Sequence, residues 1–214
     1  MPRRYLLWDH DGVLVDTERW YFETTREALG HFGVDLHQDI YLEYMAEGRS
    51  CWDLARSMGI SEEHIADQRA HRDSLYQEYL RSKPIEIAGV RDVLTELGAS
   101  HKMAVVTTAR RSDFNLIHES RDLLKFFDFA LTIEDYARPK PHPDPYLAAL
   151  DLFGARPQEA LALEDSARGL KAACRAGLEC LVVRTPFTAS QDFTMAWRVV
   201  DSIRQVPALL ERFG

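Results

Sequence analysis

Tyr5-Leu6-Leu7-Trp8-Asp9-His10-Asp11-Gly12 sets four apolar residues directly before two carboxylates and a glycine. A short apolar run of this kind reads as a buried strand, and Gly12 permits a sharp turn after it. Side chains two apart in an extended segment share a face, so Asp9 and Asp11 point into one site at the strand's end. Carboxylates that close repel each other. Either a cation sits between them or one of them keeps its proton, which would make it a general acid.

Working outward, apolar runs recur at residues 103–106, 129–133, 160–163 and 180–183, giving five expected strands with the first. Between them, Val90, Val93, Leu94 and Leu97, and then Leu147, Leu150 and Phe153, follow helical spacing. Strands alternating with helices predict an α/β fold, a doubly wound, parallel, Rossmann-like sheet. The rhythm stops after Thr17 and resumes after Pro84; glycines at 30, 33, 48 and 59 divide the intervening stretch into about four helices, the last from near Glu62 to Leu80. The predicted organisation is an α/β core of residues 1–16 and 85–214 with an all-helical cap of residues 17–84 inserted after the first strand. Residues 204–212 suggest a closing helix.

The chain's 214 residues carry 34 acidic and 26 basic side chains, a formal net charge of −8, which gives no general attraction to nucleic acid or to an anionic membrane. No apolar run approaches the roughly 20 residues of a membrane-spanning helix. Three cysteines at no metal-like spacing fit a reducing cytoplasm. Monomer and homodimer both remain open.

Ligands of an open parallel sheet bind beyond the carboxyl ends of its strands. The second strand leads to Thr107 and Thr108, hydroxyls suited to holding phosphoryl oxygens without adding charge. The third leads to Arg138-Pro139-Lys140-Pro141-His142-Pro143-Asp144, where prolines stiffen the backbone around one lysine. Glu164-Asp165-Ser166 follows the fourth, just before a helix with apolar positions Ala167, Leu170, Ala173 and Cys174. Hard carboxylate oxygens without histidine or cysteine favour magnesium over zinc. Arg49, after Gly48, is either a surface residue or a fork that reaches across the cleft to a substrate carboxylate or distal phosphate. Trp20, Tyr21 and Phe22 read as helix packing before pocket lining.

Taken in order, Asp9-His10-Asp11-Gly12-Val13-Leu14-Val15-Asp16-Thr17, Val105-Val106-Thr107-Thr108, Lys140-Pro141 with Asp144 and Tyr146, and Glu164-Asp165-Ser166 resemble the four motifs of the haloacid dehalogenase-like hydrolase superfamily. The insertion resembles that superfamily's first cap type, as in phosphoglycolate phosphatases and β-phosphoglucomutases. The resemblance implies that Asp9 is the nucleophile and forms an aspartyl-phosphate. It implies that Asp11 is the general acid and base, and that Thr107 and Lys140 hold the transferring phosphoryl group; Thr108 and Arg49 stand beside them as substrate-binding candidates from their own chemistry. Mg2+ would bind Asp9, the backbone carbonyl of Asp11 and Asp165, with Glu164 as a ligand or beside one. Asp11 separates this chain from relatives that dehalogenate or cleave phosphonates, which lack that aspartate. His10 occupies a position usually apolar in the superfamily. The expected activity is hydrolysis of a small phosphorylated metabolite. A phosphomutase is the alternative, weakened because the first cap helix has Trp20, Tyr21 and Phe22 where β-phosphoglucomutases carry a histidine. A receiver-like phospho-signalling domain is a third reading, though receivers have no cap and need no general acid.

Overall fold

The computed structural model describes residues 4–213; Met1, Pro2 and Arg3, the basic start of the sequence, and Gly214 lie outside the described residues. Six parallel strands form one sheet: β1 (Tyr5–Trp8), β2 (Lys102–Val106), β3 (Phe129–Leu131), β4 (Ala160–Glu164), β5 (Glu179–Val183) and β6 (Arg198–Val200). Their spatial order is β3-β2-β1-β4-β5-β6. β1 therefore lies inside the sheet, Leu7 opposite Ala104 on one side and Ala162 on the other. Strand alternation divides the core between the faces. Leu6 and Trp8 pack with Leu94, Leu97 and Leu210 under helices α5 (Val90–Gly98) and α9 (Val206–Phe213). Leu7 packs with Tyr146, Leu150 and Leu170 under α7 (Asp144–Phe153) and α8 (Ala167–Arg175). Helix α6 (Arg111–His118) follows β2.

Three local expectations differ from this structure. The expected third strand ends at Leu131, because Thr132 turns into a short 3-10 helix whose Asp135 carboxylate accepts from the Thr132 backbone N–H. β6 was not expected: at an edge of the sheet, with Arg198 and Val199 exposed, it has no apolar run to announce it. Leu147 faces solvent, and Tyr146 and Ala149 are the buried partners of Leu150.

Between β1 and α5 lie four helices, α1 (Glu18–Gly30), α2 (Gln38–Glu47), α3 (Trp52–Ser57) and α4 (Glu62–Ser82). They enclose their own core of Phe22, Leu29, Leu36, Leu42, Trp52 and Ile65. The chain leaves and re-enters the α/β unit side by side, Asp16 N–H donating to the Ile85 carbonyl at 2.9 Å. The helices rest on the α/β unit at several places, among them α4 on α6, where Tyr76 and Leu80 pack with Ile117. Phe187, in the loop after β5, stacks on Phe22 and Tyr41, and Gly48 lies so close to Pro141 that a Cβ there would meet its ring at 2.7 Å. No helix of the described residues is long and apolar enough to cross a membrane.

Candidate active site

β1 delivers Asp9 to the middle of the sheet's carboxyl edge, where it is buried and its side chain accepts from the His10 backbone N–H at 2.8 Å. The turn after it needs Gly12, at φ +81°, and a Cβ there would lie 2.1 Å from an Asp165 carboxylate oxygen. Removal of one side chain thus lets two loops approach. Asp11, two residues on, turns towards the helical unit and accepts from the hydroxyls of Thr17 and, at 3.2 Å, Thr107. Burial pushes the Asp11 carboxyl up, but neighbouring His10 and these hydrogen bonds outweigh it and bring it down to about 2.

Thr107 is fully buried; its hydroxyl also accepts from the Ala109 N–H, and its carbonyl accepts from the Tyr136 hydroxyl at 2.7 Å. Lys140, beside a cis peptide bond to Pro141, reaches beneath the site. Its ammonium lies 2.9 Å from Asp9 Oδ1, 2.7 Å from Glu164 Oε1 and 2.8 Å from the Val106 carbonyl, which accounts for its three protons. Burial opposes that charge, yet Asp9 and Glu164 prevail and hold Lys140 above the ordinary lysine value. Tyr146 donates to the same Glu164 oxygen at 2.5 Å, and Gly169 leaves the room that Glu164 occupies.

Asp9, Glu164 and Asp165 offer carboxylate oxygens within 4.8 Å of one another. Asp165 is pushed well above the usual carboxylate range, first by burial and then by the charges of Asp9, Glu164, Glu18 and Asp11. Five carboxylates, of which Asp9, Glu164 and Asp165 are buried, thus face two cations, Lys140 and Arg168. This excess of hard, charged oxygens fits a divalent cation of the magnesium type. Glu164 Oε1 is already held by Lys140 and Tyr146, which leaves Asp9 and Asp165 as the freer donors.

A profile of haloacid dehalogenase-like hydrolases matches residues 6–183, which include all of these side chains. The chain belongs to this family. Among its relatives, this haloacid dehalogenase-like hydrolase is 30% identical to the fructose-1-phosphate phosphatase YqaB of Escherichia coli (strain K12), over 86% of this chain and 99% of that one. It is 28% identical to protein CbbY of Rhodobacter capsulatus over 94% of both chains. A crystal structure of a CbbY variant from Rhodobacter sphaeroides with xylulose-(1,5)bisphosphate superposes with a TM-score of 0.78 at 27% identity, covering 93% of this chain and 94% of that one. A β-phosphoglucomutase from Clostridium difficile shares the fold, with a TM-score of 0.79 at 19% identity and coverage of 100% and 99%.

The remaining sequence candidates are placed unevenly. Thr108 lines the cavity above Asp11 and accepts from the Arg168 guanidinium at 3.3 Å. Arg49 is at the rim, half exposed, paired with Glu47 at 2.9 Å and lying 3.8 Å over the Tyr44 ring. Trp20 packs edge-on against Tyr79 and Phe22 stacks with Tyr41, whereas Tyr21 lines the cavity. Sequence reasoning passed over Arg168 in the first turn of α8, Glu18 at the start of α1, and Tyr41, which donates to Glu18. The adjacency of Glu18 to Asp16-Thr17 and of Arg168 to Glu164-Asp165-Ser166 was the available signal. His118 was missed too: its Nε2 lies 3.0 Å from that of His10, and His10 Nδ1 is 3.5 Å from Asp11, so the unusual histidine connects the site to α6.

Proposed function

We propose that this protein is a magnesium-dependent phosphatase that hydrolyses a small phosphorylated metabolite through an aspartyl-phosphate on Asp9. The observation that carries the reading is Lys140, buried and held between Asp9 and Glu164, beside Asp11 and Asp165. Membership of the hydrolase family and likeness to a sugar-phosphate phosphatase support it.

Residues 17–84 act as a cap over a core of residues 1–16 and 85–214. Between them lies a cavity of about 310 Å3 containing Asp11, Thr108, Lys140, Glu18 and Arg168. Asp9 attacks phosphorus and expels the alcohol; water then attacks the acyl phosphate and regenerates the carboxylate. Asp11 gives its proton to the leaving oxygen and takes one from the attacking water. Thr17 and Thr107 hold Asp11 ionised in the free protein, the form the second step uses, and the negative charge of the bound phosphoryl group favours the protonated form that the first step uses. Lys140 orients the Asp9 carboxylate, and with Thr107 and Thr108 it balances charge on the transferring oxygens. Asp9, Asp165 and the Asp11 carbonyl would hold Mg2+, with Glu164 behind them, and the bound ion would neutralise charge on the phosphoryl oxygens. No histidine lines the cavity among the described residues, so nothing there takes the place of the histidine that a β-phosphoglucomutase carries in its cap.

Phosphate release from a panel of sugar phosphates, phosphoglycolate, nucleotides and a chromogenic ester, with magnesium or with chelator, tests the reading. Turnover is expected only with the metal and is lost in Asp9→Asn. Equal release by Asp9→Asn would overturn it.

A further inference from the structure

The cavity above Asp11 adjoins a second chamber of about 240 Å3 inside the helical unit, and Tyr21, Tyr41, Arg49, Arg110 and Arg168 line both. The outer chamber is bordered by five arginines, these three with Arg69 and Arg72, and by no carboxylate. In a chain of net charge −8 this is a pronounced local reversal. Three of the five have carboxylate partners outside the chamber: Arg49 pairs with Glu47, and Arg110 and Arg72 share Asp73. Arg72 is held in place, 2% exposed, donating to Thr25 Oγ1 at 3.2 Å, with Nε 2.8 Å from Asp73 and its plane 4.3 Å over Tyr21.

Arg69 and Arg168 form no ion pair among the described residues. Arg69 lies 5.5 Å over the Trp52 ring. Arg168 stands between the chambers, one terminal nitrogen on Thr108 and its buried Nε without a hydrogen-bond partner. Arg168 also feels the charges of Glu18 and Asp9, but neither carboxylate lines the outer chamber, so five guanidinium groups border it with no anion among them. A neutral polyol could meet some of their hydrogen bonds but not their charge, whereas an oxyanion matches both charge and fork geometry.

We propose that the outer chamber binds a second anionic group of the substrate, so that the molecule hydrolysed carries a phosphate ester at one end and a phosphate or carboxylate at the other. This rests on the phosphatase reading and assigns its substrate class. Arg69, Arg72 and Arg168 receive the distal anion, while Asp9 and Lys140 face the ester.

The test is calorimetric titration of the Asp9→Asn protein, with magnesium, using two matched pairs: glycerol 3-phosphate against 3-phosphoglycerate, and fructose 1-phosphate against fructose 1,6-bisphosphate. At least one doubly anionic member is expected to bind about tenfold more tightly than its partner. Arg69→Gln and Arg168→Gln, each in that background, are expected to erase most of the preference, and Arg56→Gln, on the outer face of the cap, to leave it intact. Arg69 is only partly buried and carries no ion pair, so its replacement does not endanger folding. A preference below about twofold in both pairs, or one that survives both substitutions, would overturn the proposal. Phosphate release by the wild type on the same four probes separates the two readings. Release without preference for the doubly anionic members keeps the phosphatase and removes the second subsite; arginine-dependent binding preference without release does the reverse.

Discussion

Acidification from about pH 8 to about pH 5 will cost the fold about 2 kcal/mol through one side chain, His118. Burial, then the charges of His10 and Arg121, lower it from an ordinary 6.5 to about 3. Its ring is enclosed by Phe114, 4.6 Å away between centroids, and by His10. Between those two pKa values the unfolded chain binds a proton that the folded protein refuses, so stability rises with pH there and falls as pH drops below 6.5. At pH 5 the unfolded histidine is about 30-fold more protonated than neutral and the folded one almost wholly neutral, which gives the figure of about 2 kcal/mol. For a chain of 214 residues that is a fall of about 4–8 °C in melting temperature. The assay is calorimetric melting of wild type and His118→Gln across this range, read as the difference between the two pH slopes. Glutamine keeps a hydrogen-bonding group opposite His10 but cannot titrate. Parallel slopes for the two proteins would refute the assignment of the acid sensitivity to His118.

Two further outcomes follow from the site. Lys140→Ala leaves Asp9 and Glu164 buried beside each other without their cation, and is expected to lower stability by about 3–5 kcal/mol in metal-free urea unfolding; a loss under about 1 kcal/mol would contradict the role given to the ion pair. Gly12→Ala puts a methyl group 2.1 Å from Asp165 at a φ that side chains rarely adopt, so magnesium affinity measured by titration should fall by about tenfold or more. Unchanged affinity would show that Asp165 can move away freely.

Much of this architecture was legible because it is written locally. Leu6, Leu7 and Trp8 are apolar on both faces of β1, which only a doubly covered sheet requires. β6 escaped detection because an edge strand with two exposed residues needs no such run. Leu147 misled the helical reading, since α7 buries Tyr146 and Ala149 and leaves that leucine in water. The carboxylates, threonines and lysine were visible from their places after the strands, but their partners were not. Asp11 and Thr107 are 96 residues apart in sequence, Lys140 and Val106 are 34 apart, and His10 and His118 are 108 apart.

By itself, then, the sequence determined the order of the first five strands, the helices inserted after the first of them and the family, because each depends on periodicity or on residues adjacent in the chain. Tertiary packing alone decided that Lys140 is shared by Asp9 and Glu164, that His10 meets His118, and that Arg49 turns to the rim while Arg69, Arg72 and Arg168 surround a chamber. Side-chain direction depends on how α1, α4 and α8 pack around one another, and no local pattern encodes a distance between elements so far apart in the chain.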